Sequence, residues 1–163
     1  MLFPFPHKIY DDVTCIRPEF LRSKGIRGLL LDIDGTLART KDPAPSAAVD
    51  AWLREMQENG ILLYILSNNK SPSRTASYAE RIGCDWRHKS KKPSPKGFLA
   101  AAAHLGLQPH ELAIVGDQIY TDVLGGLRSG MWTLMVQSTD TYLWYFPLRR
   151  LAELPFRFER REK

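Results

Sequence analysis

The chain of 163 residues suits one domain with a substantial core and is too short for two independent domains of ordinary size. Its 44% hydrophobic and 25% charged content is that of a globular protein, which argues against disorder, and no apolar run approaches the roughly 20 residues of a membrane-spanning helix. The excess of 23 Lys and Arg over 18 Asp and Glu, a net charge of +5, favours anionic partners: phosphates, nucleic acid or an acidic membrane surface.

Met1 to Lys8 lacks the basic start, apolar stretch and small-residue cleavage site of a secretory leader. Cys15 and Cys84 are too few for a disulfide framework and read as free, small, buried residues in a reducing cytoplasm. Residues 1–27 show no sustained period. Their one short helix, Pro18 to Lys24, has proline in its first turn and Gly25 at its end.

Residues 28–34 read as a buried strand, Leu29-Leu30-Leu31 running into Asp32-Ile33-Asp34-Gly35-Thr36. Positions i and i+2 of a strand face one side, so Asp32 and Asp34 are expected to project together. Two carboxylates on one side repel each other and require a cation or hydrogen-bond donors. Residues 46–59 place Val49, Trp52, Leu53 and Met56 at helical spacing, with Ser46 as cap and Gly60 as stop. A second apolar strand, 61–66, ends in Ser67-Asn68-Asn69, and a helix from Pro72 to Ile82 follows.

Cys84 to His88 is expected to be a short strand. Between Trp86 and Gly97 lie Arg87, Lys89, Lys91, Lys92 and Lys96 and no acidic residue. Pro95 opens a helix that runs to Leu105. Residues 112–115 form a strand ending in Gly116-Asp117, residues 122–127 a helix, and residues 131–136 a last strand. Strands and helices alternate, and the strands are near-continuous apolar runs, as parallel strands covered on both faces are. The expected class is α/β: a Rossmann-like, doubly wound, mostly parallel sheet with helices on both faces, binding its ligand outside the strand C-termini.

From Ser138 onward the texture changes. Tyr142, Trp144, Tyr145, Phe146, Phe156 and Phe158 alternate with Arg149, Arg150, Arg157, Arg160, Arg161 and Lys163, and Leu148, Leu151 and Leu154 suggest a short amphipathic helix over 147–154. Such a tail either packs on its own domain or settles at an anionic membrane surface, arginines on the lipid charge and aromatics at head-group level. No motif favours nucleic acid as partner.

The strand ends carry candidates for each role in phosphoryl transfer through a carboxylate. Asp32 can be the nucleophile and Asp34 the acid and base. Asp117 can complete an oxygen-rich Mg²⁺ site with Asp32 and a backbone carbonyl near Asp34; Thr36 and Ser67 can donate hydroxyls to the phosphoryl group, and Lys92 can neutralise charge.

Four dispersed segments in this order, Asp32-Ile33-Asp34-Gly35-Thr36, Ser67, Lys92-Pro93, and Gly116-Asp117 with Asp122, resemble the motifs of haloacid dehalogenase superfamily phosphatases over roughly residues 28–136. Ser67-Asn68-Asn69, Lys91-Lys92-Pro93 and Gly116-Asp117-Gln118 with Thr121 to Gly126 are similar to the YqeG-like group, class IIIA, and its phosphatidylglycerophosphate phosphatases. That group commonly has Asn where this chain has Gly35, whereas Gly is common across the superfamily.

The resemblance implies a single phosphatase domain over 1–163, its core at 28–136 and a basic, aromatic extension at 138–163. It implies catalysis by Asp32, Asp34 and Lys92, substrate phosphate held by Thr36, Ser67, Asn68 and Lys92, and Mg²⁺ held by Asp32, Asp34, Asp117 and Asp122. The substrate it favours is phosphatidylglycerophosphate, met in the cytoplasm or at the membrane periphery. The alternatives are a soluble sugar phosphate, nucleotide or nucleic-acid end, and a module that binds phosphate without turnover. About 30 residues separate Thr36 from Ser67 and about 25 separate Ser67 from Lys92, leaving room for crossovers and none for a cap domain. An open crevice suits a bulky substrate or a homo-oligomer whose neighbouring copy forms the lid.

Overall fold

Six strands form one sheet in the order β1-β6-β5-β2-β3-β4, and every neighbouring pair is parallel. They are β1 (Lys8–Tyr10), β2 (Gly28–Leu31), β3 (Leu62–Leu66), β4 (Asp85–Arg87), β5 (Leu112–Gly116) and β6 (Trp132–Val136). The computed structural model describes residues 4–140 and 151–158. The helices are α1 (Pro18–Ser23), α2 (Ala47–Glu58), α3 (Pro72–Ile82), α4 (Pro95–Leu105) and α5 (Leu124–Arg128).

The period-2 alternation of the strands sorts their side chains onto two covered faces. Leu29, Leu31, Leu63, Ile65, Ala113 and Val115 share one cluster with Trp52, Leu53 and Met56 of α2 and Tyr78 of α3. Leu30, Tyr64, Leu66, Leu112 and Ile114 share another with Phe98, Ala101 and Ala102 of α4. Continuous apolar strands are required because both faces are buried. Local signals act as expected: Ser46 accepts a hydrogen bond from the Val49 N–H at the start of α2, and Ser71 caps α3 ahead of Pro72.

The chain winds from β2 out to β4, then returns to lay β5 against the other side of β2. The winding direction therefore reverses between β2 and β5, where open α/β sheets hold their ligands. Leu31 is in register with both Ile65 and Val115, so the three strands end within one residue of one another. Asp32, Ser67 and Asp117 follow at that edge.

The structure corrects several expectations. β1, which lies where no element was expected, is a three-residue edge strand paired with β6, too short and too evenly half-buried to show alternation. β2 ends at Leu31, not residue 34; Asp32 adds one ladder bond, its N–H to the Val115 carbonyl at 3.0 Å, before the chain turns. The helix after Asp117 opens with a π turn over Ile119–Val123. Cys15 is exposed and not buried, whereas burial pushes the half-buried Cys84 thiol up to about 12, leaving it a poor nucleophile.

In the C-terminal extension, residues 151–153 are helical and Leu154–Phe156 form a turn. Phe156 packs against Ile119, Val123 and Met135, and the buried Glu153 carboxylate accepts the Ile119 N–H at 3.0 Å. This stretch packs on its own domain. Residues 147–150 of the expected helix, and Tyr142, Trp144, Tyr145, Phe146, Arg149, Arg150, Arg160, Arg161 and Lys163, lie outside the described residues. Among the described residues no helix is long and apolar enough to cross a membrane.

Candidate active site

The site begins where the buried strands run out. Asp32 follows β2, Asp117 follows β5, and Asp122 comes from the π turn; one carboxylate oxygen from each lies within 4.8 Å of the others, and all three residues are buried. Lys92, in the loop before α4, places its Nζ 2.7 Å from Asp32 Oδ1 and 2.6 Å from Asp122 Oδ1.

The Lys92 ammonium is shared between Asp32 and Asp122, and Asp117 brings a third carboxylate close to them. Burial, with Asp122 and Asp117 adding to it and Lys92 opposing, pushes the Asp32 carboxyl well above the usual carboxylate range. Burial also penalises the charge on Lys92, but Asp122 and Asp32 more than offset it and raise that group above an ordinary lysine, so it stays an ammonium.

Backbone and small residues make room for this crowding. Gly35 has φ +84°, in the left-handed region that favours glycine, and a Cβ there would meet Asp117 Oδ2 at 2.6 Å. At Gly116 a Cβ would meet Asp122 Cγ at 2.3 Å. Asp122 is further fixed by the Gln118 N–H on Oδ2 at 3.2 Å, so both its oxygens already have donors. Asp122 therefore shares Lys92 with Asp32 while lying in the same carboxylate group as Asp117.

A hard divalent cation fits this donor set. Mg²⁺ takes few carboxylates and fills its remaining positions with water or phosphate oxygens. Thr36 Oγ1 is buried and has no hydrogen-bond partner among the described residues, an atom left for a ligand oxygen to use.

Other expected residues are placed as follows. Ser67 is buried at the end of β3, and its Oγ accepts the Asn69 N–H at 3.0 Å. Asn68 gives its carboxamide to the backbone of Lys92, accepting its N–H at 2.8 Å and donating to its carbonyl at 3.1 Å. Its side chain therefore positions Lys92 and is not turned to a phosphate. Asp34 lies outside the three-carboxylate group: Asn69 donates to Oδ2 at 2.7 Å and Arg74 to Oδ1 at 3.0 Å.

The sequence places Asn69 in the Ser67-Asn68-Asn69 motif but gives it no role, and it does not mark Arg74. Asn69 is one residue from the candidate Asn68, and Arg74 lies 40 positions from Asp34 on the helix that follows Pro72. Only the spacing of Arg74 from the strand end through the α3 N-terminus could have pointed to it.

Beside the carboxylates lies a cavity of about 430 Å³ between the turn at Val13–Cys15, residues 36–39 and the start of α2. Thr36 lines it, together with Val13, Leu37, Arg39 and Val49; Asp32, Asp117 and Lys92 do not. It adjoins the charged centre without containing it.

Comparison with known proteins gives a consistent picture. Residues 42–130 match a family model for hydrolases of the haloacid dehalogenase-like type. The chain is 33% identical over 147 residues to the probable phosphatase YqeG of Bacillus subtilis, covering 88% of this chain and 85% of that one. It is 30% identical over 171 residues to the chloroplastic/mitochondrial phosphatidylglycerophosphate phosphatase 1 of Arabidopsis thaliana, covering 94% of this chain but 44% of that protein. Among solved structures, the 3-deoxy-D-manno-octulosonate 8-phosphate phosphatase of Moraxella catarrhalis superposes with a TM-score of 0.55 at 16% identity, over 85% of this chain and 91% of the other. An uncharacterised protein of Corynebacterium glutamicum gives 0.56 at 20% identity, over 85% and 99%. These likenesses speak for the fold.

Proposed function

Because the chain belongs to the haloacid dehalogenase-like hydrolases and is a phosphatase, we propose that it cleaves a phosphomonoester through an aspartyl-phosphate on Asp32, with Mg²⁺ bound, and that its substrate is phosphatidylglycerophosphate. The observation that carries the mechanism is the buried group of Asp32, Asp117 and Asp122 around Lys92 at the sheet's switch point.

A carboxylate oxygen of Asp32 attacks phosphorus, the bond to the leaving oxygen breaks, and Asp34 gives that oxygen its proton. Water then attacks the phosphoryl group on Asp32, Asp34 takes the proton, and the Asp32–phosphorus bond breaks to release inorganic phosphate. Lys92 stays charged throughout and offsets the negative charge that gathers beside Asp32. Thr36 and Ser67 supply hydroxyls at the phosphoryl oxygens. Asp32 and Asp117 would hold Mg²⁺, whose bound charge stabilises the crowded phosphoryl oxygens.

Cation binding has a readout apart from turnover. A ligand that binds only the native state stabilises it by about 2.7 kcal/mol at a hundredfold excess over Kd. Mg²⁺ is therefore expected to raise the thermal midpoint by several degrees, and Asp117→Asn to abolish the rise. An unchanged midpoint in the parent at tens of millimolar Mg²⁺ contradicts the site.

The lipid substrate is supported by the phosphatidylglycerophosphate phosphatase relative, which matches 94% of this chain. The interval from Thr36 to Ser67 is filled by α2 and β3 and that from Ser67 to Lys92 by α3 and β4, so neither carries a lid. The adjoining cavity sets apolar walls and Arg39 beside Thr36, chemistry suited to a glycerol bridge and a second, diester phosphate.

Phosphate release from phosphatidylglycerophosphate in mixed micelles tests this against a panel of sugar phosphates, nucleotides and nucleic-acid 3′-phosphate ends. The expected preference for the lipid in kcat/KM is about 100-fold or more. Faster turnover of any soluble class replaces the lipid with that class. Phosphate binding without turnover across the panel leaves a binding module instead.

A further inference from the structure

We propose that Arg74 is the positioning residue for Asp34, fixing the carboxyl so that its proton meets the leaving oxygen; the proposal rests on the acid–base reading of Asp34 given above. Asp34 stands apart from the carboxylates grouped around Lys92, and it is held by two side chains, Asn69 from the loop after β3 and Arg74 from α3. Arg74 approaches Oδ1 with both Nε, at 3.0 Å, and Nη2, at 2.8 Å. Asn69 approaches Oδ2 at 2.7 Å. The Asn69 carboxamide cannot turn over freely, because its oxygen accepts the Ser71 N–H at 2.8 Å at the cap of α3.

The guanidinium is itself held on its other edges. Nη1 donates to the Asp42 carbonyl at 2.7 Å and Nη2 to the Arg39 carbonyl at 3.1 Å. Its plane lies over the Tyr78 ring, 5.0 Å from the centroid, and the Tyr78 hydroxyl donates to the same Asp42 carbonyl at 2.9 Å. The segment that supplies those carbonyls is pinned from the opposite side, where the buried Asp140 accepts the Thr40 N–H at 2.9 Å and the Thr40 hydroxyl.

A planar, multidentate donor locked at each edge is what an arginine supplies and a lysine does not. With side-chain exposures of 17% for Arg74 and 22% for Asp34, the pair is shielded enough to hold its geometry yet open on one side to a leaving group. A surface ion pair has neither the backbone anchors nor the reach to a reacting position. Correct placement of a proton donor counts only when the leaving oxygen needs a proton, and this makes the role measurable.

The test is the dependence of kcat/KM on leaving-group acidity, measured with substituted phenyl phosphates from phenyl to p-nitrophenyl. Arg74→Ala and Arg74→Lys are expected to lose about 30- to 100-fold on phenyl phosphate, the effect of a misplaced catalytic group, and no more than about threefold on p-nitrophenyl phosphate. The slope of log kcat/KM against leaving-group pKa should steepen accordingly. Millimolar guanidinium should restore part of the lost activity on phenyl phosphate to Arg74→Ala.

Equal losses on all the esters make Arg74 merely structural and overturn the proposal, as does an unchanged slope. Asp34→Asn separates the two levels of the argument. It should steepen the slope at least as much as Arg74→Ala does. If it steepens the slope and the Arg74 variants do not, only the positioning role fails. If Asp34→Asn leaves the slope unchanged, the acid role of Asp34 fails and the positioning role with it.

Discussion

Asp32→Asn is expected to lower kcat/KM by on the order of 10⁴-fold or more, as loss of a covalent nucleophile does when the surrounding site remains. The substitution is nearly isosteric, and an amide cannot displace a leaving group to form the acyl phosphate. Folding should survive it. Lys92 keeps its contact with Asp122 at 2.6 Å, and the neutral amide removes one of the mutually repelling carboxylates whose charge burial disfavours. A thermal midpoint within a few degrees of the parent, together with the loss of Mg²⁺-dependent phosphate release, is the expected pair of results. Acid quenching during turnover of radiolabelled substrate should trap hydroxylamine-labile label on the parent chain and none on Asp32→Asn. Unchanged turnover would sink the nucleophile assignment.

What the sequence displays and what it conceals divide along a physical line. The centre of the fold is legible because burial on both faces forces β2, β3 and β5 to be apolar throughout and β6 nearly so, Thr133 apart, and because Ser46 and Ser71 mark helix starts by local hydrogen bonds. The charged centre is legible because Asp32, Ser67, Lys92 and Asp117 each follow or precede such an element at one sheet edge. β1 escapes notice because three half-buried residues carry no period.

The partners of Asp34 are concealed for another reason. Its same-side pairing with Asp32 follows only if the strand continues, and the strand stops at Leu31. Beyond that point, side-chain direction is set by turns whose geometry the spacing does not encode. Asn68 and Asn69 are alike in sequence, yet one clasps the Lys92 backbone and the other Asp34. Gly116 reads as part of a motif, but its reason is steric: without a Cβ it leaves the space that Asp122 fills.

Lys92→Met tests whether this ammonium serves stability, catalysis or both. Methionine preserves much of the volume of a side chain only 2% exposed, but it removes the ammonium that Asp32 and Asp122 share, with Asp117 close beside them. Removing one partner from a buried ionic group costs about 3–5 kcal/mol, so the metal-free variant should melt markedly below the parent. Mg²⁺ should recover much of that deficit, because a divalent cation can replace the missing positive charge. It should not recover activity: a lost charge-stabilising donor costs on the order of 10²–10³-fold in rate. Lys91→Met, at the exposed neighbour, should change turnover by less than about threefold, since exposed charges away from a reacting group contribute little. Adding Asp122→Asn to Lys92→Met should restore metal-free stability by relieving the repulsion, yet leave turnover low. If stability and activity instead fall and recover together across these variants, Lys92 acts on the reaction only by keeping the site folded.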